Sequence, residues 1–348
     1  MERGSPRVLA LALACVAVLL AGCSGGDEAG PTGGTASTPT GATPATSVTG
    51  PSASGPQAAV VQDEIEIGGE PIGIASGEGS LWVVNSEFAS DGPGSVSRID
   101  PASGEVLATI EVGAVPLEVG VGEGGVWVSN SADDTVTRID PATNEVSATI
   151  DVCAAPEGIA VADGSVWVVC EEDATVAHID PRRDRMVSQV EVGLQPRFAT
   201  FAFDSVWVSS YLESSITRID PETEEVLSQI AMDQGPQIMV EAGDLLWVAA
   251  TDADLVQAVD PTNDEVVTSV EQPVAPDGLA FDGEVLWVAT EIGPELGGIA
   301  MSDQAPVGIW SVADEGLINA NQVMVFEDGS LWLPILGRGT LLRVEPPV

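Results

Sequence analysis

Seven tryptophans, Trp82, Trp127, Trp167, Trp207, Trp247, Trp287 and Trp332, recur at steps of 45, 40, 40, 40, 40 and 45 residues. A fixed period of this size marks one supersecondary unit repeated along the chain. Such a unit is too small to bury its apolar faces alone and becomes stable by stacking on its neighbours. A unit of this length fits one four-stranded blade of a β-propeller, so the stride predicts an all-β, seven-bladed ring.

Each unit carries the same punctuation. A proline lies 11 residues before the tryptophan in six units (Pro71, Pro116, Pro156, Pro196, Pro236 and Pro276), and Asn321 takes its place in the last. An Asp-Pro pair follows the tryptophan in five units, as in Asp140-Pro141 and Asp220-Pro221, while the sixth has Ala300-Met301 and the seventh Glu345-Pro346. Short runs rich in Val, Ile, Thr and Trp lie between these turns and read as strands. In the third unit they are 158–161 (strand a), 165–169 (b), 175–179 (c) and 186–192 (d). Both faces of a blade are covered by other blades, so strand b can bury an indole. Burial of ~150–250 Å² at about 25 cal/mol per Å² is worth on the order of 4–6 kcal/mol per ring. Trp310 falls off the stride.

The two ends of the array complement each other. The seventh unit stops at Val348 after its third strand, and Val60 to Ile65 aligns with the outer strand Glu105 to Ile110 of the first full unit. The N-terminal strand is therefore expected to complete the last blade and close the ring, removing the open ends of a linear array.

Residues 59–348 make up the propeller, and what precedes them is an address. Arg3 and Arg7 lead into an apolar run from Val8 to Ala21, too short to span a bilayer and laid out as a signal peptide over 1–22. The run ends in Leu20-Ala21-Gly22-Cys23. This resembles the lipobox of bacterial lipoproteins, which implies diacylation of Cys23 and stable anchoring on the outer side of the cell membrane. Residues 23–58 are rich in Gly, Ser, Thr and Pro and read as a flexible tether. The formal net charge is −43, from 54 acidic residues against 11 arginines and no lysine. Such a surface repels nucleic acid and anionic headgroups, so the lipid is the expected membrane contact. The charge also serves solubility. A monomer is expected.

Chemistry-bearing residues are few. Cys153 and Cys170 lie on one rim of one blade. In an oxidising compartment a disulfide is expected, two free thiols being the alternative. Without lysine there is no Schiff-base nucleophile. The single histidine, His178, stands where other units carry arginine, as in Arg138-Ile139-Asp140, which favours a structural role. The residue after each repeat proline opens the innermost strand, giving Ile72, Leu117, Glu157, Arg197, Gln237, Asp277 and Gln322 around the channel mouth. Glu157, Arg197, Gln237, Asp277 and Gln322 are the candidate ligand-binding set. The alternative is that Arg197 merely neutralises Glu157 and Asp277. Acidic turns on the same rim (Asp133-Asp134, Glu171-Glu172-Asp173, and Asp252 with Asp254) offer oxygens of the type that bind Ca²⁺, but without the spacing of a calcium loop, which favours solvated turns.

Units such as GSVWVVCEEDATVAHIDP, with Pro-x-Gly-Ile-Ala-Val starts, resemble the YVTN-repeat propellers and the repeats of streptogramin (virginiamycin B) lyase-like proteins. The resemblance covers about 60–348 and implies a seven-bladed ring with a top-face funnel. The lyase uses funnel histidines and a glutamate with Mg²⁺, and no funnel histidine exists here. Lactonase-like propellers hold a funnel metal with carboxylates and amides. Glu157, Gln237, Asp277 and Gln322 imitate that loosely, and Arg197 in their midst disfavours a cation. No cofactor is assigned, Ca²⁺ or Mg²⁺ being the ion such a set would take. The leading expectation is a non-enzymatic, lipid-anchored propeller that binds a partner protein or small ligand at its funnel face. A metal-dependent lyase or hydrolase is the alternative, and a structural envelope or adhesion module the second.

Overall fold

The computed structural model describes residues 46–48, 57–88, 90, 92–272, 274–291, 293, 295–312 and 323–347. Cys23, Asn321 and Gln322 lie outside them, as does the signal segment. Seven sheets follow one another in chain order. Blades one to six occupy 70–114, 116–151, 156–191, 196–231, 236–271 and 276–311. In the third blade the strands are Pro156–Ala162, Ser165–Cys170, Thr175–Asp180 and Arg185–Glu191, within a few residues of the sequence expectation.

The seventh blade is a composite. Val325–Glu327, Ser330–Ile335 and Thr340–Glu345 are joined by the N-terminal strand Val60–Glu66, which runs antiparallel to Thr340–Glu345 with Ile65 opposite Leu341. The expected closure is present. Ile65 is its one buried side chain, packing with Leu81, Trp332 and Leu341.

Part of the expected tether is also paired. Thr46–Val48 lies parallel to the outer strand Glu265–Glu271 of blade five, and Gln57–Ala58 parallel to Ala305–Ser311 of blade six. An outer strand presents unpaired N–H and C=O groups, and an extended segment arriving alongside can satisfy them.

All seven repeat tryptophans are fully buried. Each packs across the gap to the following blade. Trp127 meets Val166, Val168 and Ile179, and Trp167 meets Val206, Val208 and Ile219. The stride is thus the spacing of inter-blade contacts. In five blades the indole N–H donates to a carbonyl five residues earlier, as from Trp207 to Ala202 at 2.9 Å. Trp310 sits at the strand-d core position held elsewhere by Ile110, Ile150, Val190, Ile230 and Val270, and meets Trp287 edge-on with ring centres 5.6 Å apart. It follows the 40-residue period of a different strand.

On the face away from the mouth, strand c carries a clamp. Arg98, Arg138, Arg218 and Arg343 lie over the tryptophan of their own blade at 4.8–5.1 Å. All four reach the next c–d turn, Arg343 through the Ala102 carbonyl at 3.3 Å. Arg218 donates to the Pro261 carbonyl at 2.7 Å and to Asp264 at 2.9 Å, and Arg98 and Arg138 repeat the pattern. His178 fills the same position in blade three. It stacks on Trp167 at 4.6 Å and lies 2.8 Å from Glu224 of the next blade. It keeps the arginine position in which the sequence places it and is half-buried there.

Candidate functional site

The mouth is built by a backbone irregularity that every intact unit repeats. Between the proline and the third residue after it, strand a gains one residue over strand b. Pro156 pairs with Cys170, but Ile159 pairs with Val168. The same bulge occurs in the other five units with a repeat proline. A bulge breaks the in–out alternation and re-aims side chains.

The residue before the proline is left-handed in five units: φ is 49° at Val115, 52° at Ala155, 51° at Gln195, 73° at Gly235 and 54° at Ala275. For the four non-glycine residues this conformation costs on the order of 1–3 kcal/mol and persists only where the surroundings fix it. Hydrogen bonds do so here. The carbonyls of Ala155 and Ala275 accept from the N–H groups of Glu171 and Glu291 at 3.1 and 2.8 Å. Their own N–H groups donate to Asp134 at 3.0 Å and Asp254 at 2.8 Å, from the b–c turn of the preceding blade.

The acidic turns therefore have work in the backbone. Asp133 accepts from the Ala114 N–H at 2.7 Å and Asp173 from the Ala154 N–H at 3.0 Å. Asp252 accepts from the Tyr211 hydroxyl at 2.7 Å. The disulfide between Cys153 and Cys170 is formed, with Cα atoms 5.6 Å apart. Cys170 immediately precedes Glu171 and faces Pro156, the residue before Glu157, so the bridge anchors two acids of the mouth.

Buried Glu157 and half-buried Arg197, from adjacent blades, are joined at 3.0 Å, and a second arm of Arg197 lies 4.0 Å from Glu171. Glu171 also accepts from the Gln195 amide at 2.7 Å. Arg197 lies over the ring of Tyr211 at 5.7 Å. Burial raises Glu157 to about 7, against the opposing pull of Arg197 and with help from Glu171. One guanidinium does not offset the loss of water. Gln237 donates to Thr251 at 3.1 Å, and Thr251 passes the chain on to the Pro276 carbonyl at 2.8 Å. Asp277 is wholly buried, and among the described residues neither of its carboxylate oxygens has a hydrogen-bond partner. Burial pushes its carboxyl far up, Glu291 adds to the shift and Arg197 opposes it.

Of the predicted set, Glu157 and Arg197 are in contact, Gln237 and Asp277 lie buried in the neighbouring blades, and Gln322 is not described. Glu118 escaped the residue-after-proline rule, which selects the half-buried Leu117. The bulge buries Glu118 too, and burial raises it to about 8, with Glu157 adding repulsion and the Val119 N–H opposing. A signal was available. Glu118 is the one charged residue two places after a repeat proline, where other units have Gly73, Gly158, Phe198, Ile238 and Gly278. Among the described residues no three His, Cys, Asp or Glu side chains are grouped to hold a metal ion.

The ring has counterparts among solved structures. A streptogramin B lyase aligns with a TM-score of 0.69 at 16% identity, covering 81% of this chain and 96% of its own. Hydrazine synthase from Kuenenia stuttgartiensis aligns at 0.70 with 14% identity, covering 80% and 96%. A computationally designed protein, Ika8, aligns at 0.60 with 12% identity, covering 81% and 99%. Identities this low carry the propeller fold alone. No protein-family pattern and no curated protein matches the chain by sequence.

Proposed function

We propose that this chain is a lipid-anchored extracytoplasmic propeller that binds a small ligand in its funnel without transforming it. The observation that carries the reading is the set of buried Glu157, Gln237 and Asp277 with half-buried Arg197 at the starts of the inner strands. Such a set costs stability and contributes no packing that apolar residues would not supply better. Its depth favours a small ligand over the surface of a partner protein. The lipobox-like Leu20-Ala21-Gly22-Cys23 supports anchoring. The Cys153–Cys170 bridge suits an oxidising compartment. The likeness to streptogramin B lyase supports the ring and not its chemistry, because the single histidine of this chain stacks on Trp167 within the blade wall.

A thermal-shift screen of the full chain against cationic, neutral and anionic small molecules tests the funnel. Compounds that raise the melting temperature of the native protein are expected to lose their effect in Arg197→Ala or Asp277→Asn. Hits indifferent to both substitutions would overturn the reading, as would a screen with no hits in any class. For the anchor, Cys23→Ser is expected to move the protein from the membrane fraction to the soluble fraction.

A further inference from the structure

The mouth is unevenly satisfied. Arg197 is engaged by Glu157 at 3.0 Å and faces Glu171 at 4.0 Å, so its single positive charge is already met by two carboxylates. Asp277 stands apart from this pair. Its side chain has no exposure to solvent, and both oxygens lack a donor among the described residues. Leaving a buried carboxylate in that state costs several kcal/mol. Protonation would remove the charge but would leave a buried O–H without an acceptor and a carbonyl without a donor. A cation that carries its own N–H groups satisfies both oxygens at once.

We infer that the funnel takes the protonated primary amine of a small organic ligand, with Asp277 as its counter-ion. The inference rests on the funnel reading above and assigns its ligand class. A primary ammonium brings one positive charge and three N–H donors, the complement of a donor-poor carboxylate. Divalent metals fit less well. They need several oxygens converging on one point, and no such group of acidic side chains forms among the described residues. Glu291 adds negative potential at Asp277 and favours the same charge. The ligand's amine is foreign to the propeller's own side chains, because the sequence has no lysine. Thr251, linking Gln237 to the Pro276 carbonyl, positions the backbone immediately before Asp277.

Calorimetric titration of the full chain in non-ionic detergent, at fixed ionic strength, tests this with ethylammonium and tetramethylammonium as probes. The two carry equal charge, and tetramethylammonium has no N–H. Saturable ethylammonium binding at least about tenfold tighter than tetramethylammonium is expected. Asp277→Asn is expected to weaken it by about tenfold or more, while the exposed Glu222→Gln leaves it unchanged. Equal binding of the two cations overturns the inference, as does an Asp277→Asn protein that folds and binds ethylammonium as before. If Asp277→Asn fails to fold, the comparison of the two cations on the native protein decides alone. Silence of both cations while neutral or anionic compounds still depend on Arg197 overturns the amine and leaves the funnel. Silence in every class overturns both.

Discussion

The wall of the ring and its mouth treat charge in opposite ways. In the wall, Arg98, Arg138 and Arg218 are each stacked on a tryptophan and bonded to the next blade's turn. At the mouth, Glu118, Glu157 and Asp277 are driven toward their protonated forms by burial, and Asp277 has no donor among the described residues. The same repeat, read at two ends of its strands, gives a satisfied clamp and a frustrated ring. The same fold supplies partners regularly in one place and leaves them out in another, where the proposed ligand would sit. The left-handed residues before the prolines belong to the same strained region, held by carboxylates of the turns.

The largest test of the contrast removes the wall's continuity. Deleting Val60 to Ile65 takes the outer strand from blade seven and is expected to lower the melting temperature by about 10 °C or more, read by calorimetry. An unchanged melt would sink the closure. Next comes the bridge between wall and mouth. Reducing Cys153–Cys170, or replacing both residues with serine, is expected to cost about 3 kcal/mol in denaturant unfolding, given a sequence separation of 17 residues. A larger loss of ligand affinity than of stability would show that the bridge serves Glu157 and Glu171 more than the fold.

At the mouth itself the sign reverses. A carboxyl raised by folding binds its proton more tightly in the native state, so stability is greatest while it stays protonated. The native protein is therefore expected to lose stability as pH rises from 4.5 to about 8 for Glu118, and from 4.5 to about 7 for Glu157. Glu118→Gln keeps an acceptor for the Val119 N–H and removes the charge. It is expected to flatten the pH profile of the melting temperature and to stabilise at pH 8 by roughly 1–3 kcal/mol. A destabilised variant at that pH would mean that Glu118 stays charged and paired. The smallest expected effect lies in the clamp, where Arg218→Ala removes a stacked guanidinium and its bonds to Pro261 and Asp264 and is expected to cost about 1–2 kcal/mol at every pH. A pH-dependent loss there would blur the distinction between wall and mouth.

The wall was largely legible in the sequence. Tryptophans, prolines and Asp-Pro turns recur because each blade meets its neighbours through the same atoms, so the constraint is written once per period. Val60 to Ile65 could be placed by the same alignment, and His178 by its standing in an arginine position. Trp310 looked irregular only because its period belongs to strand d. The mouth was half legible. The residue after the proline pointed to Glu157, Arg197, Gln237 and Asp277, of which Glu157, Gln237 and Asp277 are buried, but missed Glu118, since the bulge that buries it is a matter of backbone register.

The sequence by itself determined the repeat, the blade count and the closing strand, because periodic burial of one large side chain leaves a periodic mark. Only the tertiary structure decided which charges have partners. The acidic turns that read as solvated or calcium-like became fasteners for left-handed loop residues. Arg197 was taken up by Glu157, and Asp277 was left without a donor among the described residues. Pairing depends on distances between blades, 21 residues apart in the chain for Ala155 and Asp134 and 40 for Arg197 and Glu157, which no local pattern encodes.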